Sequence, residues 1–142
     1  MIVHIPYDVM KSAIKYMQED LTTEQIGFFG MVPNIEGDAF SVDWYPADNV
    51  SPTPADSAEI EATWIAELIL NSAVHPIAMM HSHPSGQYVP SDHPGGDYDQ
   101  FPSMYVDVAF IWVAQYPDQV TQYTATQELH VIDIDEVLVH VQ

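Results

Sequence analysis

The residues with the clearest chemical potential are His81 and His83, in the run Met80-His81-Ser82-His83-Pro84-Ser85-Gly86-Gln87-Tyr88-Val89-Pro90-Ser91. The apolar residues before them, Ile77-Ala78-Met79-Met80, read as a short buried strand. In a strand that carries on to His83, residues two apart face the same side. Their Cα atoms then lie about 6.6 Å apart, at roughly 3.3 Å per residue. Two imidazoles so placed can converge on one metal ion, because Zn–N bonds are about 2.0–2.1 Å long. Pro84 then ends regular pairing, since it has no N–H to give to a ladder. The loop that follows carries Asp92, His93, Asp97 and Asp99, any of which can return toward the histidines. Two histidines and one carboxylate leave a fourth position for water, the pattern of a catalytic rather than a structural zinc. Such a metal lowers the pKa of its water toward about 7, and the chemistry then needs a general base within hydrogen-bond reach. The chain has no cysteine, so thiolate ligands, a thiol nucleophile and disulfides are all excluded.

The composition narrows the partners. Acidic residues number 21, against Lys11, Lys15 and no arginine, for a net charge of −19. A surface of that sign repels nucleic-acid phosphates and anionic membranes. It suits high salt, where a Debye length of about 3 Å at 1 M removes the self-repulsion. At 142 residues and 47% hydrophobic content, the expectation is one folded domain spanning 1–142. The start, Met-Ile-Val-His-Ile-Pro, shows no signal peptide. No apolar run approaches the roughly 18 residues of a membrane span, and the best, Val106 to Ala114, is interrupted by Asp107.

The elements that must position the histidines follow from periodicity. Ile2 to Ile5 reads as a first strand, and residues 6–19 as a helix burying Met10, Ala13, Ile14 and Met17. Ile26 to Met31 reads as a buried strand bounded by a Pro33-Asn34 turn, and Phe40, Val42 and Trp44 alternate as a half-buried one. A polar loop over 46–57 ends with Asp56 three residues before Glu59, the spacing of a helix start. The helix it opens has Trp64, Leu68 and Ile69 as core residues and ends near Ser72. Met104 to Ala114 reads as one long strand, with further strands over Gln119 to Thr126 and His130 to Val141. Val137, Val139 and Val141 alternate as an edge strand available for pairing. The order implies an α+β domain, layered α/β/α, with a mixed sheet.

With those elements in place, His81-Ser82-His83-Pro84, then six residues, then Ser91, resembles the signature of the JAMM (MPN⁺, prokaryotic JAB) metalloproteases. Upstream, Glu24-Gln25-Ile26-Gly27-Phe28-Phe29-Gly30 resembles the family's glutamate segment. The resemblance spans most of residues 2–115 and implies a JAMM/MPN-like (cytidine-deaminase-like) fold. One element departs: the family's aspartate falls three residues after the serine, where this chain has Pro94. Asp97 fits as the displaced ligand, carried by a small insertion containing Gly95 and Gly96, while Asp92, Asp99 and His93 remain substitutes.

The resemblance implies that His81, His83 and Asp97 hold Zn²⁺ with a water in the fourth position. Glu24 then takes a proton from that water and passes it to the leaving amine, and Ser91 hydrogen-bonds the developing oxyanion. The activity implied is hydrolysis of a peptide or isopeptide bond in a protein or peptide substrate, such as a ubiquitin-like conjugate or a viral structural protein. Two further readings stand beside it: a viral tail component of a halophilic system built on the same domain, and a metal-free MPN-type interaction scaffold. The expected location is the cytoplasm, or the virion tail for a viral protein. His4, His75, His130 and His140 read as ordinary surface residues, and Tyr88, Tyr98 and Phe101 as loop packing or a substrate platform.

Overall fold

A computed structural model describes residues 1–33, 40–126 and 128–142. The expected turn residue Asn34 lies outside the described residues. Alternating and apolar runs give eight strands: β1 (Ile2–His4), β2 (Ile26–Pro33), β3 (Phe40–Ala47), β4 (His75–Ser82), β5 (Val108–Trp112), β6 (Gln119–Tyr123), β7 (Leu129–Asp133) and β8 (Leu138–His140). The helices are α1 (Tyr7–Gln18), α2 (Ala62–Ser72) and the single turn α3 (Asp97–Gln100). Six strands form one mixed sheet in the order β3-β2-β4-β5-β6-β7, in which only β4 and β5 are parallel. The fold is therefore of the α+β class.

Both faces of the sheet are covered. The buried stripe of α1 (Met10, Ala13, Ile14, Met17) packs with Ala78, Met80, Phe110 and Trp112. Full burial of each large member of that stripe contributes about 1.5–3 kcal/mol. On the opposite face, Ile26, Phe28, Met79, Ala109 and Ile111 pack against Trp64 and Ile65 of α2 and against Phe101 and Met104. His81 lies on this second face, because residues two apart on β4 share a side with Met79.

Several expectations are corrected. The run from Met104 to Ala114 is not one strand. Phe101–Met104 is a 3₁₀ turn with Pro102 in its first positions, and Tyr105 is left-handed at φ 55°, so pairing starts at Val108. Asp56 and Glu59 do not open α2, which starts at Ala62 without a side-chain cap. Local polar bonds win there: the Asp56 and Ser57 N–H groups both donate to the Thr53 carbonyl, and Glu59 N–H donates to Asn49 Oδ1. No residue of α2 is fully buried; Trp64 and Leu68 are half-buried and Ile69 is exposed, because the helix lies at the margin of the second core. The alternation of Val137, Val139 and Val141 does belong to an edge segment that pairs, but the pairing is within the chain. They are buried, and β8 pairs antiparallel with β1 through Val3 and Val139.

Gly27 shows how tightly β2 is clamped. A Cβ there would lie 2.5 Å from two ring carbons of Trp44 and 2.6 Å from the Tyr45 carbonyl oxygen. Gly27→Ala is expected to destabilise the fold by about 1–3 kcal/mol, the usual scale of overpacking, read as a lower midpoint in thermal denaturation. Part of that loss should return in a Trp44→Leu background; full additivity of the two changes would show that the ring is not the obstacle.

Candidate metal centre

The site forms where β2 enters the sheet beside the end of β4. Ile26 pairs with His81, and the Ser82 N–H donates to the Gln25 carbonyl at 3.0 Å. The Gln25 N–H donates in turn to Ser82 Oγ at 2.9 Å. Glu24 therefore sits one residue outside the ladder. The polar loop after β3 holds it there: its N–H donates to the Pro54 carbonyl at 2.7 Å, and its carbonyl accepts from Asn49 Nδ2 at 2.8 Å. Its carboxylate reaches inward, Oε1 lying 3.2 Å from His81 Nδ1.

His83 lies just past β4, yet its N–H still donates to the Trp112 carbonyl at 3.1 Å, so the chain stays extended. The two imidazoles consequently share a side, with ring centroids 4.8 Å apart. His83 Nδ1–H donates to the Gln87 carbonyl at 2.6 Å. That bond orients the ring with Nε2 toward Asp97, the position from which it can ligate a metal. His83 Nε2 lies 3.0 Å from Asp97 Oδ2, and His81 Nε2 lies 3.5 Å from Asp97 Oδ1. One carboxylate thus spans both imidazoles.

Asp97 is delivered by the turn that contains Gly95 and Gly96. His93-Pro94-Gly95-Gly96 closes a turn in which the Gly96 N–H donates to the His93 carbonyl at 2.8 Å. Proline second and a glycine third, at φ +78°, suit a type II turn. Ser91 and Asp97 then lock to each other: Asp97 N–H donates to Ser91 Oγ at 2.8 Å, and Ser91 N–H donates to Asp97 Oδ2 at 2.9 Å. A Cβ on Gly96 would come within 2.9 Å of Ser91 Oγ, so the lock needs glycine there. The Ser91 hydroxyl still has its own proton to donate.

The structure brings Glu24, His81, His83 and Asp97 together, with one ligand atom from each lying within 4.8 Å of the others. Asp92, His93 and Asp99 are exposed, and the Asp99 carboxylate is engaged in accepting the Gly95 N–H. His4, His75, His130 and His140 are exposed as well. Nitrogen and carboxylate donors without thiolate form a set that can hold a metal ion. Charge balance favours one. Two carboxylates converge on the cluster, while Lys11 and Lys15 both lie exposed on α1, on the other side of the sheet.

The electrostatics show the same demand for positive charge. Complete burial by itself would lower the His81 pKa, but the Asp97 charge and the hydrogen bond and charge of Glu24 outweigh it and raise it. Burial would raise the Asp97 pKa, yet the His81 charge, the His83 hydrogen bond and the Ser91 N–H hold it below the usual carboxylate range. Burial, then Asp97 and Glu24, push the Tyr123 phenol well above its ordinary value, so it remains a donor.

Tyr123 was not singled out by the sequence. Its hydroxyl lies 3.1 Å from His81 Nε2, and its ring, fully buried, packs against Tyr98 and Phe101. Within an alternating strand it carries the same signal as any core aromatic. Asn49, which clamps Glu24, was likewise hidden in a polar loop. Phe101 is buried and Tyr98 half-buried, both packed on Tyr123 beside the site.

No family model matches the chain, and no curated protein matches it. Its structure is similar to the solution structure of protein DSY2949 from Desulfitobacterium hafniense, with a TM-score of 0.53 at 13% identity, over 90% of this chain and 88% of that one. At that identity the likeness concerns the fold alone. No helix among the described residues is long and apolar enough to cross a membrane.

The two shifts set a pH window for the metal-free protein. His81, raised above its ordinary 6.5, stabilises the fold fully below that pH and less as pH rises through the raised value. Asp97, lowered from 3.8, stabilises above that pH and fails only as pH falls through the lowered value. With chelator present, Asp97→Asn is expected to cost more stability near pH 5.5 than near pH 8.5, by roughly 1.4 kcal/mol for each tenfold gain in His81 proton affinity. Urea denaturation at the two pH values measures it; an equal loss at both would show that His81 and Asp97 are not coupled.

Proposed function

We propose that the protein is a zinc-dependent metallopeptidase or isopeptidase of the JAMM (MPN⁺, JAB) type, acting on a protein or peptide substrate. The observation that carries this reading is the convergence of Glu24, His81, His83 and Asp97 within 4.8 Å, with Ser91 locked to Asp97. The element order, with a glutamate ahead of β2 and the histidines at the end of β4, supports the same family.

In this reading His81, His83 and Asp97 would hold the zinc, which would supply polarisation of the scissile carbonyl and a water acidic near neutral pH. Glu24 is the general base: its carboxylate is buried at the cluster, takes the proton of the attacking water and delivers it to the leaving amine. Its present contact with His81 Nδ1 also orients that imidazole. Ser91 keeps a hydroxyl proton free to donate to the carbonyl oxygen as negative charge develops, where one donor is worth about 3 kcal/mol. Asp97 sets the place of Ser91 through their paired bonds, so ligand and oxyanion donor move as one unit.

Elemental analysis in high salt, without chelators, tests the centre. About one zinc per chain is expected in the wild type and far less in Asp97→Ala, which removes one of three ligands. Glu24→Gln should keep its zinc and lose hydrolysis of a conjugate or peptide by on the order of 10²-fold or more. Loss of zinc from Glu24→Gln would instead make Glu24 a holder of the metal or of His81. A wild type that takes up no zinc would sink the hydrolase reading and leave the interaction scaffold.

A further inference from the structure

The sheet face that bears the histidines also carries an uncharged cleft. Register partners run across the sheet from His81 to Ile111 on β5, Thr121 on β6 and Val131 on β7. Partners opposite one another on neighbouring strands point to the same face. Ile111, Thr121 and Val131 line a cleft of about 270 Å³, whose floor continues into Val113 and whose walls are Tyr88 and Tyr116. The floor therefore begins one strand spacing, about 4.8 Å, from the strand of His81.

One wall is tied directly to the metal centre. Tyr88 follows Gln87, the residue whose carbonyl fixes the His83 imidazole. Tyr88 and Tyr116 are 50% and 56% exposed, so the cleft opens to solvent between two aromatic rings.

The lining selects its occupant. It contains no aspartate, glutamate, lysine or histidine, in a chain that carries 21 acidic residues. A charged side chain of either sign would give up hydration with no ion-pair partner in the lining. The volume falls just below the roughly 300–1,000 Å³ of sites for whole small molecules, which suits one bulky side chain attached to a longer chain.

Resting on the hydrolase reading, we propose that this cleft is a specificity subsite that takes a leucine-sized or aromatic side chain of the peptide substrate, close to the bond that is cut. A substrate chain crossing the sheet from the histidines toward β7 places that side chain between Tyr88 and Tyr116, over Ile111 and Val131.

Binding tests the subsite apart from turnover. The probes are fluorescent, lysine-ended glycine–alanine heptapeptides in which each position in turn is Gly, Leu or Phe. Polarisation is measured in high salt with Zn²⁺ on the full chain carrying Glu24→Gln, and again with Val131→Trp or Tyr116→Ala added. Val131 is 54% exposed on β7 and tryptophan suits a strand, so the first variant fills the cleft without a buried change; the second removes a wall. At one position, Leu and Phe should bind about tenfold or more tightly than Gly, and both variants should cut that advantage to about twofold or less. Equal affinity for the three peptides, or an advantage that survives both variants, would overturn the subsite. Cleavage by the wild-type chain is scored separately. Selective binding without cleavage keeps the subsite and removes the hydrolase reading, whereas cleavage without side-chain preference does the reverse.

Discussion

Two carboxylates drawn together in a nearly dry site need a positive charge between them, and the rest of the structure follows from that demand. Glu24 and Asp97 both contact His81, which is 1% exposed. Desolvation of such a cluster costs several kcal/mol per ion unless a compensating charge is present. The chain has nothing else to offer: its two lysines lie on α1, beyond the sheet. Either an imidazole carries a proton or a cation enters. The same residues that make the site costly to bury thus form a group that could hold a metal ion.

Holding the cluster requires segments that are remote in the chain. β2 and β4 bring Glu24 and His81 together across 57 residues. The loop after β3 then pins the Glu24 backbone through Asn49 and Pro54. The parallel pairing of β4 with β5 extends beyond Ser82 to keep His83 in line. Asp97 comes from a third segment, and its position depends on the reciprocal bonds with Ser91 and on the glycine that lets the two approach. Each support is a backbone hydrogen bond or a close approach, which makes the site rigid where its chemistry needs rigidity.

The acidic composition and the uncharged cleft belong to the same design. Negative charge is spread over the exposed surface, while the lining of the cleft beside the histidines contains none. Ion pairs weaken in high salt, whereas an apolar contact in such a cleft does not depend on them. The exposed rings of Tyr88 and Tyr116 stand at the mouth of that cleft.

Much of this was legible in the chain itself. Periodicity located α1 and β2, β3, β4 and β6, because their buried faces repeat locally. The His81–His83 spacing was readable because two residues on one extended segment have a fixed relation. Asp97 was one of several acidic candidates in that loop, and only the fold singled it out by bringing it to the histidines. What failed were segments whose conformation is decided by distant or competing partners. Asp56 and Glu59 had the pattern of a helix start, but Thr53 and Asn49 claimed their N–H groups. The run from Met104 mimicked a strand, but its first residues pack inward as a 3₁₀ turn. Val137, Val139 and Val141 were legible as a pairing edge, but their partner, β1 of the same chain, was not. Tyr123, the Asn49 clamp and the cleft from Ile111 to Val131 had no sequence signal, since cross-strand register alone places them beside His81. The sequence by itself determined the candidate ligands and most of the local elements that bear them. The tertiary structure decided which of them meet, because contact between strands depends on pairing and packing that no local pattern contains.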